Sequence, residues 1–206
     1  STGFNGTLVR VICEDRKGNL LIGTENGGLN VYDRNRECFY HPYKNDPFFR
    51  SRAISVNDIR EDTKGNLWLG TNVNLVMIDT LGNVVPVSKE TDDGLFSFWS
   101  DFIRVLELDN TGKLWAGTDE GVFIYDPETK ITEHLDLPFS SGETDEIWEL
   151  FLDTDGSMWV GTYSNGAFIV DPVSRMVRKV QLERVAERTE TVRTISLGDV
   201  GNYWIG

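Results

Sequence analysis

Apolar residues fall along this chain in short runs broken by turns rich in Asp, Gly and Asn, and the runs come in a fixed order. First, two apolar residues three positions apart lead into an acidic turn: Val9 and Ile12 before Asp15, Val56 and Ile59 before Asp62, Ile103 and Leu106 before Asp109, Ile147 and Leu150 before Asp153. A second run lies between two glycines and closes on Gly-Thr. A third ends in Asp, as at Gly28 to Asp33 and Gly121 to Asp126, and a fourth, more polar run follows, such as Cys38 to His41 and Val84 to Val87. Runs this short, rich in Val, Ile, Trp, Tyr and Phe and separated by turn residues, predict β-strands joined by hairpins. None has the length or the 3.6-residue period of a helix.

The second run is copied five times: GNLLIGT at Gly18, GNLWLGT at Gly65, GKLWAGT at Gly112, GSMWVGT at Gly156 and GNYWIG at Gly201. The first glycines are 47, 47, 44 and 45 residues apart. Repeats at approximately 1–47, 48–94, 95–140, 141–184 and an incomplete 185–206 therefore account for the whole chain and leave nothing for a second domain. A unit of this length with four antiparallel strands is the signature of a β-propeller blade. The predicted fold is an all-β propeller with about four and a half blades, strands A to D running from the axis outward. The falling apolarity from A to D fits an outermost strand that faces solvent.

The tryptophan of the motif, at Trp68, Trp115, Trp159 and Trp204, is replaced by Leu21 in the first repeat. A position that accepts Leu for Trp is predicted to fill space between sheets. Gly65 is expected to turn the A–B hairpin, and Gly70 to make room where neighbouring sheets come close.

The pattern V-x-x-I-x-x-D-x-x-G-x-L-W-x-G-T, followed by G-L-x-x-Y-D, resembles the two-component regulator propeller repeat of bacterial hybrid histidine kinases. Residues Val56 to Thr71 and Ile103 to Thr118 follow it almost position for position; Leu21 and Gly198 are the departures. The resemblance implies a periplasmic sensor region with two seven-bladed propellers ahead of a β-sandwich, a transmembrane helix and cytoplasmic kinase modules. It also implies an oligosaccharide ligand and a homodimer in the full-length protein. Seven such blades need roughly 320 residues, so the chain reads as part of a larger propeller, with a closed five-bladed ring as the alternative.

Composition narrows the partners. With 20 Lys and Arg against 33 Asp and Glu, the net charge of −13 repels phosphate backbones, and nucleic acid is set aside. No run of eighteen apolar residues occurs, so the region is not expected to insert in a membrane. The first thirty residues lack a basic start and an apolar stretch, so a signal peptide is absent or already removed. The two cysteines, Cys13 and Cys38, form no metal-binding pattern; they read as small buried thiols or as a local disulfide.

No catalytic constellation, metal site or cofactor is expected. The only histidines, His41 and His134, share one repeat position that holds Val87 and Lys179 elsewhere, which is no place for a general base. Asp153-Thr154-Asp155-Gly156 resembles the start of a calcium loop, but the closing Glu position is Ser164, so it reads as an Asx turn.

Binding residues are sought where the repeat varies. Directly after the first apolar position of strand A the repeats carry Arg10, Asn57, Arg104, Trp148 and Arg193. In a propeller this position lies near the central channel, and these side chains can donate hydrogen bonds to hydroxyls or a carboxylate, or stack on a sugar. The alternative is a set of ordinary polar residues at a strand start. The D-to-A connections are long and aromatic at Pro47-Phe48-Phe49, Phe96-Ser97-Phe98-Trp99 and Pro138-Phe139. These rings either face solvent as a binding surface, with Trp99 the foremost candidate, or tuck between blades.

Overall fold

The computed structural model describes residues 3–51, 53–87, 89–90, 96–97, 102–139, 145–181, 191–199 and 202–206. Four sheets, each of four antiparallel strands in sequence order, carry the chain. Sheet 1 holds β1 (Val9–Glu14), β2 (Leu20–Thr24), β3 (Gly28–Asp33) and β4 (Cys38–Tyr40). A one-turn helix, α1 (Pro47–Ser51), leads to sheet 2, made of β5 (Val56–Glu61), β6 (Leu67–Thr71), β7 (Leu75–Ile78) and β8 (Val84–Val87). A two-residue pair, β9 (Lys89–Glu90) with β10 (Phe96–Ser97), precedes sheet 3: β11 (Ile103–Leu108), β12 (Leu114–Thr118), β13 (Gly121–Tyr125) and β14 (Thr132–Leu135). Sheet 4 holds β15 (Ile147–Leu152), β16 (Met158–Thr162), β17 (Ala167–Val170) and β18 (Val177–Lys179), and a hairpin of β19 (Ile195–Leu197) with β20 (Tyr203–Ile205) follows. Residues 1–103 and 104–206 form two compact units.

One aspartate builds each A–B turn. The Asp62 carbonyl accepts Gly65 N at 3.0 Å. Its Oδ1 accepts the amides of Lys64 and Asn66, both at 2.9 Å, and its Oδ2 accepts Asn66 Nδ2 at 2.9 Å and Trp68 Nε1 at 3.0 Å. Gly65 completes the turn with φ 87°, in the left-handed region that side chains avoid. The same indole bond recurs from Trp115 to Asp109 and from Trp159 to Asp153, each at 3.0 Å. Trp68, Trp115 and Trp159 therefore fill the core and also hold the turn six residues upstream, which satisfies their buried N–H. Trp204, expected to fill space between sheets in the same way, is instead 71% exposed, because no further sheet packs on that face of β20 among the described residues.

The threonine closing strand B is wholly buried in all four sheets. Its hydroxyl donates across the B–C turn, from Thr24 to Gly28 O, Thr71 to Asn74 O, Thr118 to Gly121 O and Thr162 to Gly166 O. The glycine before it marks a close approach: a Cβ at Gly117 would lie 2.6 Å from Val105 Cγ1 and 2.7 Å from Ile147 Cγ2.

In the first unit, Leu21, Leu29 and Val31 pack with Ile54, Val56, Ile59, Leu69, Val76 and Ile78. In the second, Trp115, Val122 and Ile124 pack with Ile147, Leu150, Val160 and Phe168, while Trp159 packs with Val192, Ile195 and the half-buried Tyr203. The connection aromatics join these cores. Phe48 and Phe49 are half-buried against the first, and Phe139 against the second, with its ring edge-on to Phe168 at 5.9 Å. The segment read as a plain loop at Pro47 is helical because Asp46 caps it, Oδ1 accepting Phe48 N at 2.9 Å, with proline at the first helical position.

Both cysteines are free and only half-buried rather than fully buried as expected, and partial burial pushes the Cys13 thiol up to about 11. Among the described residues no helix is long and apolar enough to cross a membrane.

Candidate functional site

Strand A of three sheets is bulged at one place. In sheet 1 the pairing passes from Val9↔Thr24 to Val11↔Gly23, in sheet 2 from Val56↔Thr71 to Asp58↔Gly70, and in sheet 4 from Ile147↔Thr162 to Glu149↔Gly161. The extra residues are Arg10, Asn57 and Trp148. Arg193 precedes β19 in a similar two-against-one arrangement, Gly206 O accepting both Arg193 N at 2.7 Å and Thr194 N at 3.1 Å. A bulge takes one residue out of the ladder and re-aims its side chain, and bulges concentrate next to active sites. The residues that vary in the repeat are thus residues whose side chains the sheet does not dictate.

In the first unit these side chains are engaged locally. Arg10 Nη2 pairs with Glu25 at 2.6 Å, and Asn57 Nδ2 donates to Ile103 O at 2.8 Å. In the second unit Arg104, Trp148 and Arg193 come together. The Arg104 guanidinium carbon lies 5.1 Å from the Trp148 ring centroid and that of Arg193 lies 4.7 Å from it, both within cation–π range. Trp99 lies outside the described residues.

Two further residues complete the cluster. Glu146 accepts Arg104 Nη2 at 2.8 Å and Trp148 Nε1 at 3.2 Å on the same oxygen. Tyr163 stacks with Trp148 at a centroid distance of 5.9 Å and is 46% exposed. Tyr163 is held at both backbone ends, its N–H donating to Glu146 O at 3.0 Å and its carbonyl accepting Thr191 Oγ1 at 2.5 Å. Beside it, the buried Asp145 accepts Ser164 N at 3.0 Å and Asn165 Nδ2 at 2.9 Å. Burial raises the Asp145 carboxyl, but these bonds outweigh it and hold the group below the ordinary carboxylate value.

Glu25, Glu146 and Tyr163 are the residues that sequence reasoning missed. A signal existed for two of them, because the position after Gly-Thr reads Glu25, Asn72, Asp119 and Tyr163 and so varies like the bulge position it adjoins. Chemically, the second-unit cluster offers an exposed aromatic face, a rigid acceptor in Glu146, and in Arg193 an exposed guanidinium with no ion-pair partner among the described residues.

The histidines have structural surroundings. His134 pairs in register with Phe123, its ring 4.6 Å from that of Phe123, and His41 Nε2 lies 2.5 Å from Gly3 O. In the calcium-like turn, Asp153 Oδ1 accepts Thr154 N and its Oδ2 accepts Trp159 Nε1 and the Tyr203 hydroxyl, so both oxygens serve the fold. Among the described residues, no group of three or more His, Cys, Asp or Glu is placed to hold a metal ion.

Four-stranded antiparallel sheets repeating along the chain define a β-propeller region. Residues 3–26, 52–73 and 141–164 match the family model described as two component regulator propeller. No curated protein matches the chain as a relative.

Solved structures share the fold. The extracellular domain described as that of the hybrid two component system BT3049 from B. thetaiotaomicron superposes with a TM-score of 0.75 at 19% identity, over 96% of this chain and 25% of its own. PorZ, a surface component of the type-IX secretion system of Porphyromonas gingivalis, gives 0.69 at 16% identity, over 96% of this chain and 30% of its own. Virginiamycin B lyase from Staphylococcus aureus gives 0.69 at 14% identity, over 99% and 63%. The chain thus spans about a quarter of the BT3049 domain, 25% by length.

Proposed function

We propose that this chain is part of the extracytoplasmic, ligand-binding region of a hybrid two-component sensor, non-catalytic in itself. It recognises an oligosaccharide in the periplasm and signals to a cytoplasmic histidine kinase, the full-length protein acting as a homodimer. The observation that carries the reading is the gathering of Arg104, Trp148 and Arg193 with Tyr163 in a chain built of two-component regulator propeller repeats. An aromatic platform flanked by fixed hydrogen-bonding groups suits a sugar, whose ring has an apolar face and a polar rim. Exposed apolar residues, Ile12 on β1 and Trp204 on β20, supply surfaces that further blades would cover.

Calorimetry of the complete ectodomain against an oligosaccharide panel tests this. Heat with one member, lost in Trp148→Ala and Arg193→Ala, is expected; no heat with any member overturns it. The sensor role also requires the reading frame to continue into a membrane span and a histidine kinase.

PorZ favours a second reading, a propeller that mediates protein contacts in surface or secretion assembly. A chain without saccharide binding that co-purifies stoichiometrically with a secretion component would select it.

A further inference from the structure

Sheet 1 breaks the rule that the other three keep. The place taken by Trp68, Trp115 and Trp159 in their own sheets holds Leu21, and beside Leu21 the first unit contains a cavity of about 300 Å³. Leu21, Leu67 and Ile78 form apolar wall, Tyr40 and Tyr43 add aromatic surface, and Asp15 lies at the edge.

Asp15 shows what is missing. Asp62 Oδ2 accepts two hydrogen bonds, from Asn66 Nδ2 and Trp68 Nε1. Asp15 builds the same turn, with Lys17 N and Asn19 N on Oδ1, but among the described residues its Oδ2 accepts Asn19 Nδ2 alone, at 2.9 Å. The first unit thus retains the acceptor of an indole N–H and the space beside it, without the indole.

The geometry points to a ligand site here for a planar ring carrying an N–H donor, a molecule of the indole class, which occupies the cleft and donates to Asp15 Oδ2. The chain supplies its own precedent three times over, at 3.0 Å in each of the other sheets. Space is sufficient, since an apolar cavity of about 150 Å³ already takes up benzene. Glu61, Asp79 and Asp15 line the cleft against Lys17, the single cation there among the described residues, so a neutral ring is favoured over an anionic one. This site lies wholly in the first unit and uses none of the residues around Trp148.

The test is an ¹H–¹⁵N NMR titration of the 206-residue chain with indole and, separately, with indene, which has the same shape and no N–H. Saturable shifts at Asn19, Leu21 and Ile78 are expected, with indole about tenfold tighter than indene for one hydrogen bond to a charged acceptor. Leu21→Trp is expected to fill the cleft, raise Tm and abolish the indole shifts. Asp15→Asn, which keeps the cleft open, is expected to bring indole down to the affinity of indene. Absence of saturable shifts with indole, equal affinities for the two rings, or indole binding unchanged in Asp15→Asn each overturns the assignment.

Discussion

Trp115 Nε1 donates to Asp109 Oδ2 across 3.0 Å, joining the core of sheet 3 to the turn that begins it. Trp115 is fully buried and Asp109 nearly so, so neither group has water as a substitute partner. Asp109→Ala therefore leaves a buried indole N–H unpaired and is expected to cost about 1–3 kcal/mol. Asp15→Ala, where no indole depends on the carboxylate, is expected to cost less. Urea denaturation of both variants, with m unchanged, measures the difference.

Acid should weaken the fold through the turn aspartates. At Asp62 and Asp153 burial raises the carboxyl, but the bonds from Asn66 and Trp68, and from Tyr203 and Trp159, outweigh it and hold both groups below their ordinary value. The folded state then binds fewer protons than the unfolded one, so these groups stabilise it fully above the unfolded value of about 4 and lose that effect as pH falls through the lower folded values. Tm measured from pH 7 to pH 2 is expected to stay level down to about pH 4 and then fall. A Tm that rises on acidification would contradict the assignment.

Two glycines should fail for different reasons. Gly117→Val places atoms against Val105 and Ile147, where a Cβ already meets carbon at 2.6 Å, and overpacking of this kind costs about 1–3 kcal/mol. Gly112 has open space around it but φ 82°, so Gly112→Ala is expected to cost about 1 kcal/mol through the backbone alone. Thermal melts separate the two, and a Gly117→Ser variant should fall between Gly117→Val and wild type.

Cys13 should be sluggish. Its thiol is pushed up to about 11, first by burial and then by the nearby Asp58 carboxylate, so little thiolate exists at neutral pH. Iodoacetamide labelling followed by peptide mass spectrometry is expected to show the Cys13 rate climbing steadily from pH 7 towards pH 10.

Arg193→Ala should separate binding from folding. Arg193 is exposed, and its backbone bond to Gly206 O survives the substitution, so stability is expected to change by less than about 0.5 kcal/mol while saccharide heat is lost. Parallel melts and calorimetry read both.

Much of this fold is legible because a repeat turns local chemistry into a pattern. Gly65, Trp68 and Thr71 each recur at fixed spacing, and so their turn, core and strand positions can be read from the letters alone. The Trp-to-Asp bond was written there too, six residues apart in three sheets, but it needs a side-chain direction that spacing does not give. The one-turn helix at Pro47 was hidden because a helix that short has no period to detect. At the candidate site, variation singled out Arg104, Trp148 and Arg193, yet their meeting depends on bulges and on the fold bringing residues 104, 148 and 193 together. Glu146 gains its role only from the ring beside it, whereas Tyr163 sits at a position whose variation among the repeats is visible in the letters.

The bulge at the start of strand A separates two kinds of structural constraint. Downstream of it the pairings Ile12↔Ile22, Ile59↔Leu69 and Leu150↔Val160 fall in the same register whether the extra residue is Arg10, Asn57 or Trp148. A substitution at that one letter thus changes the side chain presented there, while the pairing below it keeps its register. A repeat of this design separates the residue it presents at the start of strand A from the ladder that holds the sheet together.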